Sequence, residues 1–175
     1  MVIAYKEIVL RDYQQEDIRA FDQEAFVQKK MKKLSLIQDD QTFRWGFEID
    51  TKQGVHIGSL NCYLNDKEYD WKSKADGGCL HTLGIDISES AYWYKGLGTQ
   101  AFVAFIKYCL SHGIHDLYTE TWSGNGPMIR MAEKIGFEVC QRTANVITLN
   151  GQCYDSLAFK LNKDKFYDYL NKAQG

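Results

Sequence analysis

The sequence has few of the features that divide a chain or carry it to a membrane. Its 175 residues hold one proline, Pro127, and no Pro-, Gly- or Ser-rich linker. That favours a single domain over residues 1–175, a length sufficient for one hydrophobic core. No run approaches the roughly 18 apolar residues of a membrane span. The start, Met1-Val2-Ile3-Ala4-Tyr5-Lys6-Glu7, is too polar to read as a secretion signal. Charge of one sign is lacking too, since the formal net charge is −2. No general field draws nucleic acid or an anionic membrane surface, so neither is expected as a partner. The five cysteines, Cys62, Cys79, Cys109, Cys140 and Cys153, are odd in number and have no Cys-x-x-Cys spacing. This points away from a disulfide framework or a zinc site, and toward reduced, mostly buried thiols in a cytoplasmic protein. No metal is expected. His56, His81, His112 and His115 are scattered. No Gly-Lys-Ser/Thr occurs, which excludes a P-loop.

What the chain does have is a glycine-rich turn placed between a strand and a helix. Leu83-Gly84-Ile85-Asp86-Ile87 reads as strand, and residues 99–111 as a helix stopped by His112-Gly113. Between them stands Trp93-Tyr94-Lys95-Gly96-Leu97-Gly98-Thr99. Glycines let backbone N–H groups approach a ligand, and a helix start adds a favourable dipole, so this turn is a candidate anion site.

Around it the pattern predicts, in order, a strand at residues 8–10, a helix at 15–33, and a strand at 42–49. A hairpin over Lys52-Gln53-Gly54 leads to a strand at 55–64, a polar loop fills 65–78, and a strand covers 79–87. After the helix come a strand at 117–122, a helix capped near Ser123-Gly124-Asn125 and ending at Gly136, and two strands joined by Asn150-Gly151. A last helix covers 164–172. This is an α/β or α+β domain: a mixed, mostly antiparallel sheet of about 6–7 strands flanked by about 4–5 helices.

The segment Gly96-Leu97-Gly98-Thr99-Gln100-Ala101 formally fits the dinucleotide fingerprint. However, polar Ser88-Glu89-Ser90 and then residues 91–95 separate the glycines from their strand. Too few β–α repeats follow for a doubly wound sheet. A dinucleotide oxidoreductase is the distant alternative.

The turn Tyr94-Lys95-Gly96-Leu97-Gly98-Thr99 resembles the pyrophosphate loop of the GCN5-related N-acetyltransferases (GNAT), whose pattern is Gln/Arg-x-x-Gly-x-Gly/Ala. Here Trp93 stands in the Gln/Arg slot, as in the branch that resembles ribosomal-protein and spermidine N-acetyltransferases. Downstream, Asn125 precedes Gly136-Phe137 at the spacing of the family's second signature. Leu149-Asn150-Gly151-Gln152-Cys153-Tyr154-Asp155-Ser156 is similar to its final hairpin.

The resemblance implies transfer of acetyl from acetyl-CoA to a primary amine of a small-molecule or peptide acceptor, and it is compatible with a homodimer. Backbone around Tyr94, Lys95, Gly96, Leu97, Gly98 and Thr99 would take the pyrophosphate. An N–H near Ile87 or Ser88 would polarise the acetyl oxygen, where the 84–88 strand splays from the 117–122 strand. Asn125 would bond the pantetheine arm. An alkyl ammonium has a pKa near ~10.4, so the site needs a base. Glu120 is the first candidate, on one strand face with Tyr118 and Trp122, and Asp86 is the second. The family's usual acid position, a tyrosine seven residues after the asparagine, is Ala132, and Met128 fills its Ala/Ser slot. A thiol with pKa about 8.5 leaves tolerably without an acid, and Tyr118, Tyr154, Ser123 or water could serve. These departures motivate a second alternative, a CoA-binding sensor without catalysis.

Overall fold

The computed structural model describes residues 1–17, 42–65 and 80–173. The expected helix at 15–33 and polar loop at 65–78 lie mostly outside the described residues. Among the described residues there are eight strands: β1 (Val2–Tyr5), β2 (Ile8–Arg11), β3 (Gly46–Thr51), β4 (His56–Asn65), β5 (Leu80–Ile87), β6 (Leu117–Trp122), β7 (Phe137–Leu149) and β8 (Gln152–Leu161). The described α-helices are α1 (Leu97–Ser111), α2 (Gly126–Lys134) and α3 (Lys163–Lys172), with short 3-10 turns at Gln15–Asp17 and Ser90–Tyr92. The α+β class is as expected, but the strand count exceeds the expected 6–7. The added strand, β1, has Val2 69% exposed and no fully buried residue. It therefore lacks the buried alternation that marks a strand in sequence. The strand expected at 42–49 runs instead from Gly46 to Thr51, because its partner β2 sets the register from Arg11↔Glu48 to Ile8↔Thr51.

The described residues fall into two compact units, Met1–Asn61 with Ile85–Phe105, and Cys62–Gly84 with Ile106–Gly175. In the first, the strand order is β1-β2-β3-β4-β5, with antiparallel pairing from β1 to β4. Ile8, Leu10, Phe47, Ile49 and Ile57 form the core with Ala101, Phe102 and Phe105 of α1. Phe47 meets Phe105 edge to face at 5.8 Å, a favoured aromatic geometry. The Gln100 side-chain oxygen accepts from the Glu7 N–H at 2.9 Å and ties α1 to the β1–β2 turn.

The alternate strand positions carry charge. Arg11 donates to both oxygens of Asp17 at 2.7 Å and to Asp50 at 2.6 Å. Burial on its own would raise the Asp17 carboxyl, but the Arg11 guanidinium and the Gln14 N–H outweigh it and hold the group below its ordinary value. A depressed carboxylate stabilises the fold above its unfolded pKa, and that contribution is lost as pH falls through the folded value. Asp17→Asn is therefore expected to cost about 1.5–3 kcal/mol near neutrality, the range for charged hydrogen bonds. The difference from wild type should begin to shrink near about pH 4, the unfolded carboxylate pKa, and close as pH falls through the lower folded value. Urea melts at several pH values read this directly, and a difference that persists undiminished in acid would refute it.

In the second unit the order is β5-β6-β8-β7. β5 and β6 pair in parallel, His81↔Leu117 to Leu83↔Thr119, and the other pairs are antiparallel. A parallel pair needs a crossover, and α1 lies in that connection. Asn150 and Gly151 at the β7–β8 turn both have positive φ, 51° and 77°, as a two-residue hairpin of this hand requires. Leu83, Ile106, Leu117, Ala132, Phe137, Phe159 and Phe166 fill the core. Cys62 and Cys109 are buried there, Cys140 is half-buried and Cys153 is exposed, while Cys79 is not described. A hydrogen bond with Cys62, together with burial, pushes the Cys109 thiol far up, so it stays protonated. Burial of the thiols is thus partial, not general.

Gly136 ends α2 with φ +106°, and a Cβ there would sit 2.7 Å from the Phe166 backbone nitrogen. The Gly136 carbonyl also accepts from Asn162, the cap of α3, at 3.0 Å. Gly136→Ala is expected to cost about 1–3 kcal/mol from backbone strain alone, visible as a lower denaturation midpoint. An unchanged midpoint would contradict it. Among the described residues no helix is long and apolar enough to cross a membrane.

Candidate active site

The first unit carries the strand end, the turn and the helix start. Gly58 of β4 lies so close to the Asp86–Ile87 backbone that a Cβ would collide with the Asp86 carbonyl oxygen. The Ser88 N–H donates to the Ile57 carbonyl at 3.0 Å, and Glu89 to the same oxygen at 3.5 Å. Neighbouring N–H groups of an extended chain point to opposite sides. With Ser88 turned to β4, the Ile87 N–H turns away from it. Asp86 is exposed, and its side chain has no hydrogen-bond or ion-pair partner among the described residues.

After the Ser90–Tyr92 turn the chain folds back, and the Trp93 indole N–H donates to the Ile87 carbonyl at 2.6 Å. Tyr94 and Gly96 then take φ +58° and +77°. Tyr94 is 82% exposed. Lys95 is exposed as well, with Nζ 5.3 Å from the centre of the Tyr92 ring. The Gly96 carbonyl accepts from the Gln100 N–H at 3.0 Å, so the helix opens at Leu97, two residues earlier than expected. The first N–H groups of a helix have no partner inside it. Those of Leu97, Gly98 and Thr99 have none among the described residues.

The two glycines act differently. Gly96 faces open space but needs its positive φ; a Cβ on Gly98 would make ordinary contact with Ile87 at 3.5 Å. The turn at Ser90–Tyr92 and the antiparallel strands after β6 also depart from a dinucleotide fold, in which the glycines follow the strand directly and parallel units repeat.

The second unit carries Glu120 and Asn125. The last registered pair of β5 with β6 is Leu83↔Thr119, where the Thr119 hydroxyl donates to the Leu83 carbonyl at 2.8 Å. On the other side of β6, Tyr118, Glu120 and Trp122 stand opposite Lys160, Ala158 and Ser156 of β8, with Glu120 and Trp122 past the last pair with β5. Glu120 is half-buried, and the Tyr63 hydroxyl donates to it at 3.4 Å. Tyr63 had no sequence signal, since it meets β6 only through the sheet. The Ser123 N–H donates to the Asp155 carbonyl at 2.9 Å, and the Asp155 N–H donates to the Ser123 hydroxyl oxygen at 3.0 Å. Trp122 packs edge-on against Tyr154 at 4.6 Å and covers Gly124, where any Cβ would collide with its ring.

Asn125 caps α2. Its side-chain oxygen accepts from the Met128 N–H at 3.3 Å, and its amide N–H₂ has no partner among the described residues. Cap and ligand donor are thus compatible roles for one side chain. Ala132 is fully buried. Tyr154 donates its hydroxyl to Gln152 at 2.9 Å, and Tyr118 is buried beneath the Lys160 ammonium.

A family model for the acetyltransferase (GNAT) domain matches residues 4–138. The chain belongs to the GNAT acetyltransferases. Its fold agrees with a GNAT-family acetyltransferase from Bacillus anthracis, with a TM-score of 0.64 at 15% identity, covering 94% of this chain and 99% of that one. A spermidine N-acetyltransferase SpeG chimera from Vibrio cholerae and hSSAT gives 0.64 at 16%, covering 95% and 99%. The Salmonella typhimurium protein yncA, solved with its cofactor acetyl-CoA, gives 0.60 at 18%, covering 82% and 75%. No curated protein matches the sequence. This GNAT chain is an N-acetyltransferase with acetyl-CoA as its acetyl donor.

Proposed function

We propose that this GNAT enzyme acetylates a primary amine by direct attack on acetyl-CoA in a ternary complex, working as one catalytic domain. The observation that carries the reading is the helix start. Three N–H groups without a partner among the described residues, those of Leu97, Gly98 and Thr99, follow a turn with positive φ at Tyr94 and Gly96. Such an array suits a pyrophosphate, and exposed Lys95 adds charge. The Ile87 N–H, turned away from β4, is the better donor to the thioester oxygen than that of Ser88, which is already engaged. The free amide of Asn125 would bond the pantetheine arm.

Glu120 would take the ammonium proton, with Asp86 as the second carboxylate in that role. Protonation of the departing thiolate falls to Ser123, to a tyrosine or to water, because Ala132 holds the usual acid position inside the core. That same substitution favours the rival reading, a sensor that binds acetyl-CoA without turnover. The free thiols of Cys62, Cys109, Cys140 and Cys153 are in keeping with action in the cytoplasm. Solved neighbours include a spermidine N-acetyltransferase, so polyamines lead the panel of acceptors.

Calorimetric titration with acetyl-CoA, followed by thiol release against polyamines, peptides and aminoglycosides, tests the proposal. Binding with release on one amine class is the expected result. Binding with no release on any class would favour the sensor, and no binding would overturn the assignment of the turn.

A further inference from the structure

We propose that Trp93 is a positioning residue of the donor site, a latch that fixes the acetyl end of the site against its phosphate end. The inference rests on the reading of the turn as the acetyl-CoA loop. Three observations carry it. The indole Nε1 lies 2.6 Å from the Ile87 carbonyl oxygen, a short hydrogen bond spanning six residues. Trp93 is half-exposed, at 50%, so its ring is not there to fill a core. Directly after it, Tyr94 takes φ +58° although it is not glycine and its side chain is exposed. Non-glycine residues avoid that conformation unless the surroundings impose it. A tether from Trp93 back to Ile87 supplies such a constraint, since it fixes where the chain must reverse before Gly96.

The strand end is itself pinned. Ser88 and Glu89 both donate to Ile57, so the Ile87 carbonyl is a fixed anchor. The latch therefore joins two rigid parts. One is the peptide around Ile87, whose N–H would face the thioester; the other is the opening turn of α1, whose N–H groups would face the pyrophosphate. A ligand long enough to touch both gains from their fixed separation, because the site need not order on binding. A ligand that touches only the helix start gains little.

The experiment compares two probes on three proteins. Acetyl-CoA spans both ends of the site; adenosine 3′,5′-bisphosphate carries phosphate but no pantetheine or acetyl. Trp93→Phe keeps a ring and loses the donor, while Trp93→Gln restores a donor without the ring. Trp93→Phe is expected to weaken acetyl-CoA binding about tenfold and to change binding of the bisphosphate less than about twofold. Its melting temperature should match that of Trp93→Gln, and Trp93→Gln should recover most of the acetyl-CoA affinity. Equal acetyl-CoA affinity in wild type and Trp93→Phe would overturn the latch. Parallel loss of both probes, or of both probes and melting temperature in both variants, would overturn it as well, leaving Trp93 a structural residue. Wild-type protein that binds neither probe would instead sink the reading of the turn.

Discussion

Gly98→Ala should separate stability from ligand binding. The new Cβ would meet Ile87 at 3.5 Å and Ile85 at 4.0 Å, both ordinary contacts. Gly98 lies in the first turn of α1, and alanine there would gain up to about 0.5–1 kcal/mol of helix propensity. The melting temperature should hold or rise. Acetyl-CoA affinity should fall about tenfold or more, because the added methyl group stands beside the N–H groups that the pyrophosphate would approach. Gly98→Phe should abolish binding altogether. Gly96→Ala is the contrasting case: open space surrounds it but its φ is +77°, so it should lose roughly 1–2 kcal/mol of stability along with the ligand. Calorimetry and thermal melts on the three variants decide the matter. Unchanged acetyl-CoA affinity in Gly98→Phe would refute the assignment of the loop.

The parts legible in the sequence are those set by local chemistry. β6 was read at its observed limits, Leu117–Trp122, because it is short and bounded by turn residues. The Asn125 cap, with Pro127 behind it, and the Asn150-Gly151 hairpin were likewise readable, since each depends on the backbone preference of one or two residues. Errors arose where distant partners decide. β3 moved because β2 sets its register. β1 went unread because it buries too little to show a period. The start of α1 moved because Gly96, not Thr99, ends the turn. In the site, the glycine spacing points to a candidate ligand loop, but nothing in it announces the bond from Trp93 to Ile87. That contact goes with φ +58° at the tyrosine that follows it, a conformation residue type argues against. Nor could spacing show that Ser88 gives its N–H to Ile57, the bond on which the proposal of the Ile87 N–H as oxyanion donor rests.

The base can be assigned by its own pair of substitutions. Glu120→Gln keeps the shape and the contact with Tyr63 but removes the proton acceptor. If Glu120 takes the ammonium proton, kcat should fall by about 10²–10⁴, the usual contribution of a general base. Acetyl-CoA affinity should stay within twofold, since Glu120 is assigned no part in holding the donor. Raising the pH should recover part of the lost rate, because more of the amine is then free without help from the enzyme. Asp86→Asn should behave differently. Asp86 is exposed and its side chain has no partner among the described residues, so its charge is screened by water and would act chiefly by attracting a cationic acceptor. Its loss should raise the acceptor KM several-fold, most at low salt, with kcat largely kept. The reverse pattern, a full-rate Glu120→Gln beside a kcat collapse in Asp86→Asn, would transfer the role to Asp86. Full rates in both would mean that the amine enters already deprotonated or loses its proton to water. The protein would then contribute only binding, orientation and the N–H at Ile87.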